Sequence, residues 1–583
     1  MFKKLKPLQD WIEHRTGAGK LAQEALYENI PGGSRWRYVW GSTLTFTLAV
    51  QFITGIVLWM GYAPSATSAW ESVYYMQERV SGGWFLRGLH HWTAQVMTVL
   101  LVLHLMQVVI DGAYKAPREV NFWFGVILLQ LVLALSLTGY LLPWDQKGYW
   151  ATKVATDILG STPLVGPYLK ELVLGGADYG HHTLTRFFAL HAGVLPGLVI
   201  ALTAGHIYLF RRHGITPKKP LKKPDEYFWP EQVLKDAVAC LAVLATVLFF
   251  VVRHHGADLG APADPSSNYP ARPDWYFLFL FQFLKYFPGH WEVLGAIVIP
   301  GIVMGLIFLM PILGQWKLGH RFNLGLLCAV LIGAGSLTAI ALREDASNAT
   351  YQSGVSHAAN DAAVVKDLAR SRGGIPPEGA LSLLQGPKLF AQHCASCHAF
   401  DGHNGLLAKL TAPQSAPDLK GFASREYLAD LLEPARFRSS KFFGNTKHAN
   451  GKMAKFLDKH AADFAGESKA DLAKVIEAIS AEAKLRSQQQ VDVRDAARIQ
   501  EGRKLFETLG CTDCHSLGKW DPDDATAPDL TGYGSRDWML SLLHDPSHAR
   551  FYGEKNDRMP AFGKDEKLSG QQLGRIVDWL RGD

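Results

Sequence analysis

The chain has 583 residues, 48% of them hydrophobic and 19% charged, with a net charge of +6. That length is several domains' worth, and a mean hydropathy of +0.02 is too apolar for a wholly soluble protein and too polar for a wholly membrane-embedded one. The modest charge, with no basic stripe interleaved with aromatics, excludes a nucleic-acid binder.

Uninterrupted apolar stretches of about 20 residues predict membrane-crossing helices. Seven occur, at 38–62, 84–112, 122–144, 184–210, 233–252, 293–313 and 324–342. Two shorter apolar pieces, within 150–175 and at 275–287, suit helices lying at the interface. After Arg343 the composition turns polar and alanine-rich, so the remainder is expected to be soluble. The predicted architecture is all-α: a four-helix membrane part (1–230), a three-helix membrane part (231–345), a linker (346–379) and two small helical domains (380–485 and 496–583). Seventeen Lys and Arg residues flank the spans on the amino-terminal side and seven on the other. This asymmetry predicts a cytoplasmic amino terminus and an extracytoplasmic carboxy-terminal half. The first apolar run, late and long, is expected to serve as an uncleaved insertion signal.

Histidines interrupt the apolar stretches in a pattern. His90 and His104, 14 residues apart, leave one helix face about 21 Å apart along the axis. That is most of a hydrocarbon core of about 30 Å. The fourth stretch repeats the arrangement with His191 and His206, 15 apart. Both stretches start on the same side, so His90 is expected to face His191 and His104 to face His206. The first stretch carries Gly41 and Gly55 and the third Gly125 and Gly139, each pair 14 apart. A missing side chain admits a large planar ring against a helix backbone. Singly, these are ordinary packing glycines and satisfied core histidines. Jointly they point to a cofactor, because ionisable groups in a membrane are costly and usually functional. Two axial imidazoles fill the coordination sphere of a haem iron and leave it electron transfer as a task. The expectation is two non-covalent b-type haems, one above the other. His91 points elsewhere, and His181 and His182 are expected in a loop.

Cys240 and Cys328 are lone residues in apolar stretches and read as packing. The other four cysteines lie in CASCH (Cys394, Cys397, His398) and CTDCH (Cys511, Cys514, His515), the attachment signature of c-type haem. A redox disulfide or zinc site competes, but the pairs of a zinc ribbon lie far closer together. The region also repeats internally: APDLKGFASREYL (416–428) aligns with APDLTGYGSRDWM (527–539), and GKMAKF with DRMPAF. Each copy thus has a haem motif, a middle helix and a late methionine, and is similar to a class I cytochrome c domain. Met559 is the candidate sixth ligand of the second c haem and Met453 of the first, with His448, His544 and His548 as rivals. His/Met ligation raises the potential relative to two imidazoles, which makes these haems downhill acceptors.

SRWRYVWG, GWFLRGLHHW, LTGYLLPWDQKGYWA, LTRFFALH and RPDWYF together resemble the cytochrome b of Rieske/cytochrome b complexes, over about residues 30–345. Seven crossings, the wider second histidine pair and PWDQKGYWA are closer to the photosynthetic branch, where the protein is split in two; here the parts are fused. The resemblance implies quinol oxidation at the outer face and quinone reduction at the inner. The family's Pro-Glu-Trp-Tyr motif stands here as Pro273-Asp274-Trp275-Tyr276. It keeps a carboxylate able to accept a quinol proton, and its aspartate form points to menaquinone. Arg87 matches the family's arginine near the outer haem and suits a propionate. Lys235 and Asp236 resemble the pair at the inner quinone pocket, although a lysine capping a cytoplasmic helix end explains them equally well. The photosynthetic branch carries an extra haem on a cysteine where this chain has Val39, so two b haems are expected, not three.

The resemblance further implies a homodimer in a bacterial plasma membrane. Its partners would be a Rieske iron–sulfur protein, whose cysteine–histidine motif this chain lacks, and a downstream cytochrome c or terminal oxidase. The expected function is the cytochrome b–dihaem cytochrome c subunit of a proton-translocating quinol:cytochrome c oxidoreductase. A quinone dehydrogenase or reductase without bifurcation, and a redox relay without quinone chemistry, stay open.

Overall fold

The computed structural model describes residues 6–217, 224–267, 269–371, 373–375, 379–406, 408–518, 526–556 and 558–582. Of the basic residues used for orientation, Lys3, Lys4, Lys218, Lys219, Lys222 and Lys223 lie outside them. The chain divides into two compact units, Met1–Asn360 and Asp361–Asp583.

In the first unit, seven helices among the described residues are long and apolar enough to cross a membrane: Trp36–Trp59, Gly83–Ile110, Glu119–Leu141, His181–His213, Phe228–Arg253, Gly289–Phe308 and Gly319–Ser347. This is the expected set with shifted ends. The fourth starts earlier than its apolar run, so His181 and His182 are its first residues and not a loop. His181 is also held there by Ser65 Oγ, 2.9 Å from its Nδ1. The seventh runs past Arg343 because its polar end is anchored: Arg272 grips Asp345 in a fork at 2.7–3.0 Å, and Lys285 and Gln282 reach Glu344 at 2.8 and 2.9 Å.

The first spanning helix packs on the second and the third on the fourth. Polar residues survive in these dry faces by bonding their own helix: Thr43, Thr47 and Thr54 are buried and each donates to a carbonyl three or four residues back. At one end the spans are tied by Asp145, whose carboxylate accepts from Gly148 N at 2.8 Å and Gly260 N at 2.9 Å. Helices Gln146–Gly160, Gly166–Leu174 and Trp275–Leu284 are too short to cross. The stretch read as a linker is largely helix, Ala349–Ser371, with Ala362, Val365 and Ala369 buried along one side.

In the second unit the two repeats do not close separately at 380–485 and 496–583. The leading helix of the first repeat, Ala380–His393, packs on the closing helix of the second, Gly570–Arg581. Reciprocally, the leading helix of the second, Ala496–Thr508, packs on the closing helix of the first, Lys469–Glu482. Equivalent glycines make both crossings close. A Cβ on Gly386 would lie 2.4 Å from Trp579 Cβ, and one on Gly502 would lie 2.0 Å from the Lys474 carbonyl. Ion pairs Arg498–Glu477, Arg503–Glu482 and Lys474–Glu501, at 2.6–2.8 Å, line the second crossing.

The middle helices Arg425–Leu431 and Arg536–His544 stay with their own closing helices. The exchange turns at Gly421 and Gly532, with φ of +70° and +71°, a conformation that costs glycine little. Beside them the equivalent rings of Phe422 and Tyr533 meet at 5.2 Å, as like residues do across a two-fold interface. One core containing Phe390, Phe506, Trp538 and Trp579 serves both repeats.

Candidate functional site

The histidines lie face to face as their spacing requires: ring centres are 6.2 Å apart for His90 and His191 and 6.5 Å for His104 and His206. An imidazole nitrogen bonds a first-row metal at about 2.0 Å, which places two opposed ring centres roughly 6 Å apart. The unequal spacing on the two helices is reconciled by a π-turn at Leu190–Val194 around His191. A π-turn takes up one extra residue, so 15 residues on the fourth helix span what 14 span on the second.

Three of the four rings are fixed through Nδ1. Thr54 Oγ1, which donates to Val50 O, accepts from His90 Nδ1 at 2.9 Å. His191 Nδ1 donates to Leu135 O and His206 Nδ1 to Asn121 O, each at 3.0 Å. These bonds leave Nε2 of each ring for a metal. His104 Nδ1 is buried without a partner among the described residues. Nor does any cluster of three or more His, Cys, Asp and Glu among them offer a bare metal a coordination sphere. Two axial ligands alone suit an iron whose other four ligands come from a porphyrin.

The glycines pair with the histidines one to one. A Cβ would come within 2.5 Å of His191 Cε1 at Gly139, 3.3 Å of His90 at Gly55, 3.3 Å of His206 at Gly125 and 4.0 Å of His104 at Gly41. The missing side chains therefore admit the edges of the imidazoles, a closer role than the expected berth for a macrocycle. Arg87, three residues before His90, donates to Gln77 and, at 2.7 Å, to the carbonyls of Ala257 and Asp258.

Asp274 stands immediately before the helix Trp275–Leu284 and joins motifs far apart in sequence. Its carboxylate accepts from Lys147 Nζ at 3.0 Å, Gln95 Nε2 at 3.2 Å and Tyr276 OH at 3.4 Å. Burial, and then the nearby Asp274, push the Tyr276 phenol well above its ordinary range. Gln95 lies five residues beyond His90 on the same helix, about 7.5 Å along its axis, and also accepts from Trp275 Nε1 at 2.7 Å. Lys147 sits 5.3 Å from the centre of the Tyr140 ring, whose buried hydroxyl has no partner among the described residues. Lys147 belongs to PWDQKGYWA, but nothing in the sequence pairs it with Asp274. Elsewhere, Lys235 Nζ reaches Ser34 Oγ at 2.9 Å, and Asp236 accepts from Ser42 Oγ at 2.7 Å and Gln232 Nε2 at 2.8 Å.

In the second unit both Cys-x-x-Cys-His motifs are built alike. His398 Nδ1 donates to Pro417 O and His515 Nδ1 to Pro528 O, each at 2.7 Å, which explains why the repeat keeps Ala-Pro-Asp-Leu. Burial lowers both histidines and so keeps them neutral, as a ligand must be. All four thiols are free. Burial, then Cys397, pushes Cys394 up to about 12, and burial, then Asp513, pushes Cys511 up to about 11. Asn556 holds Met559 by bonds to its backbone at 2.9 and 3.3 Å. Met453 packs with Phe437, Ala454 and Leu457. Of the rival ligands, His548 accepts from Arg550 N at 3.2 Å through Nδ1.

Residues 95–262 match the family described as Cytochrome b(N-terminal)/b6/petB. The chain is 39% identical over 220 residues to the Menaquinol:cytochrome c reductase cytochrome b subunit of Geobacillus thermodenitrificans, covering 36% of this chain and 98% of that protein. It belongs to the cytochrome b family. Cytochrome b of Rhodobacter capsulatus is 33% identical over 317 residues, 52% of this chain and 71% of that protein, so the likeness extends beyond the first four spanning helices. Cytochrome b6 of Prochlorococcus marinus is 36% identical over 210 residues, 36% of this chain and 96% of that protein. A solved chain of the Hyperthermophilic respiratory Complex III is 26% identical with a TM-score of 0.47, covering 57% of this chain and 99% of that one. This cytochrome b continues into a cytochrome c region: residues 497–580 match the family described as Cytochrome C oxidase, cbb3-type, subunit III. It is thus a multi-pass membrane haem protein of the electron-transport class with both b and c domains.

Proposed function

We propose that the chain is the cytochrome b–dihaem cytochrome c subunit of a quinol:cytochrome c oxidoreductase. The observation that carries this reading is the pair of opposed imidazole couples at 6.2 and 6.5 Å on one pair of helices. His90 with His191, and His104 with His206, would each hold one b haem; Cys394, Cys397 and His398, and Cys511, Cys514 and His515, would each hold one c haem. When bound, these groups accept and pass on single electrons.

Asp274 would take a quinol proton. Its carboxylate is held by Lys147, Gln95 and Tyr276, of which Gln95 stands on the same helix as His90. Quinol oxidation releases two protons and two electrons. In this reading a separate Rieske protein would take one electron toward the c motifs, and the haems that His90 with His191 and His104 with His206 would hold would supply the path for the other across the membrane. Arg87 would neutralise a propionate, and Lys235 and Asp236 would serve a quinone at the opposite end. The name of the Geobacillus relative supports menaquinol as the substrate class. The excess of Lys and Arg on the amino-terminal side supports a cytoplasmic amino terminus, c motifs outside, and proton release on that outer side.

The test has two parts. A pyridine haemochrome spectrum of the purified chain is expected to give equal b and c haem, with two c haems retained on a denaturing gel. Asp274→Asn is expected to lower quinol-dependent cytochrome c reduction by about 100-fold, as loss of a general base does, with both b haems intact. Unchanged turnover would favour a relay without its own quinone chemistry.

A further inference from the structure

We infer that axial ligation in the second unit is crossed: Met559 serves the iron held by Cys394, Cys397 and His398, and Met453 the iron held by Cys511, Cys514 and His515. This rests on reading the two motifs as haem sites and goes beyond it by giving each iron the methionine of the other repeat.

The first support is the exchange of leading helices. Each motif is rigidly part of the arm that has moved: Leu419 N bonds Ala399 O and Leu530 N bonds Ser516 O, both at 2.9 Å, alongside the histidine bonds to Pro417 and Pro528. The leading helices carry their motifs with them, while the Ala-Pro-Asp-Leu segments beyond the motifs also bond their own repeats, Asp418 N to Lys441 O at 2.8 Å and Asp529 N to Arg550 O at 2.9 Å. The methionine segments have not moved. Lys564 N bonds His544 O at 3.0 Å, which keeps the Met559 segment on its own middle helix. Met453 packs with Leu431 and Leu432 of its own repeat.

The second support is direct contact at equivalent points. His393 immediately precedes Cys394, and its ring centre lies 6.3 Å from that of Phe562, three residues after Met559. Gly510 immediately precedes Cys511, and a Cβ there would lie 3.7 Å from Phe456 Cε2, three residues after Met453. Each motif thus borders the methionine segment of the other repeat, twice over and in the same register. Neither iron site is complete within one repeat, and removing either repeat strips both irons of a ligand.

The experiment uses the full chain. In a Cys511→Ala/Cys514→Ala background only the haem at His398 stays covalently bound, and the red-region sulfur-to-iron absorbance of its ferric form reports methionine ligation. Adding Met559→Ala is expected to abolish that band, and adding Met453→Ala to leave it. The opposite pattern, or a band absent before either methionine is replaced, overturns the inference. An experimental density map of the unsubstituted holo-chain avoids any folding defect of the variants. Density continuous from the iron at His398 to Met559 is expected; continuity to Met453 or to a histidine overturns crossing. Absence of haem staining in the unsubstituted chain is a different result, the failure of the haem-site reading itself.

Discussion

The two histidine couples share spacing, helices and glycine partners, yet they are not equally built. Around His90 and His191 both rings are fixed, by Thr54 and by the Leu135 carbonyl, and the opposing glycines are tight, at 3.3 and 2.5 Å for an added Cβ. Around His104 and His206 only His206 is fixed, and the corresponding distances are 4.0 and 3.3 Å. The first couple is preorganised on all sides and the second on fewer. A repeated motif therefore sets where two sites lie, while neighbouring hydroxyls and carbonyls set how stiff each one is.

The largest effect should come from deleting a ligand. His191→Leu and His206→Leu are each expected to remove one b haem, halving b-type absorbance in the purified chain; two haems retained after either change would break the comparison at its base. Next come the glycines. Gly139→Ala puts a methyl into the His191 ring and is expected to lower haem retention at that couple by about 10-fold or more, whereas Gly41→Ala meets only an ordinary contact and should stay within about twofold. Equal losses would show that the two clamps are equally tight. The smallest change is Thr54→Val, which removes the acceptor for His90 Nδ1. Haem retention at the first couple should fall by about 10-fold, the low end for loss of a partner that orients a ligand. The bound spectrum of the second couple should not change.

Much of this was legible in the residues. Apolar runs placed all seven spans, and the 14- and 15-residue spacings placed both histidine couples, because helical periodicity turns sequence distance directly into position. The π-turn at His191 was hidden in that single-residue discrepancy. What the residues could not display were acceptors without a side-chain signature, such as Leu135 O and Pro417 O, and pairings across long separations, such as Lys147 with Asp274. Arm exchange was invisible for a more basic reason. An internal repeat shows which segments are alike, and likeness makes both the closed and the exchanged pairing satisfy the same contacts.

The exchange has a consequence for how the chain is made. The body of the first repeat is followed directly by the leading helix of the second, so one half of the second unit can assemble as soon as it is synthesised. The leading helix of the first must wait until residues 533–582 emerge, more than a hundred residues later. Until then Phe390 and its neighbours have no Trp579 to cover them. A chain that stops short of Gly570 would leave its earlier-made arm stranded, so a defect at the very end of synthesis would be felt first at the cysteines made long before.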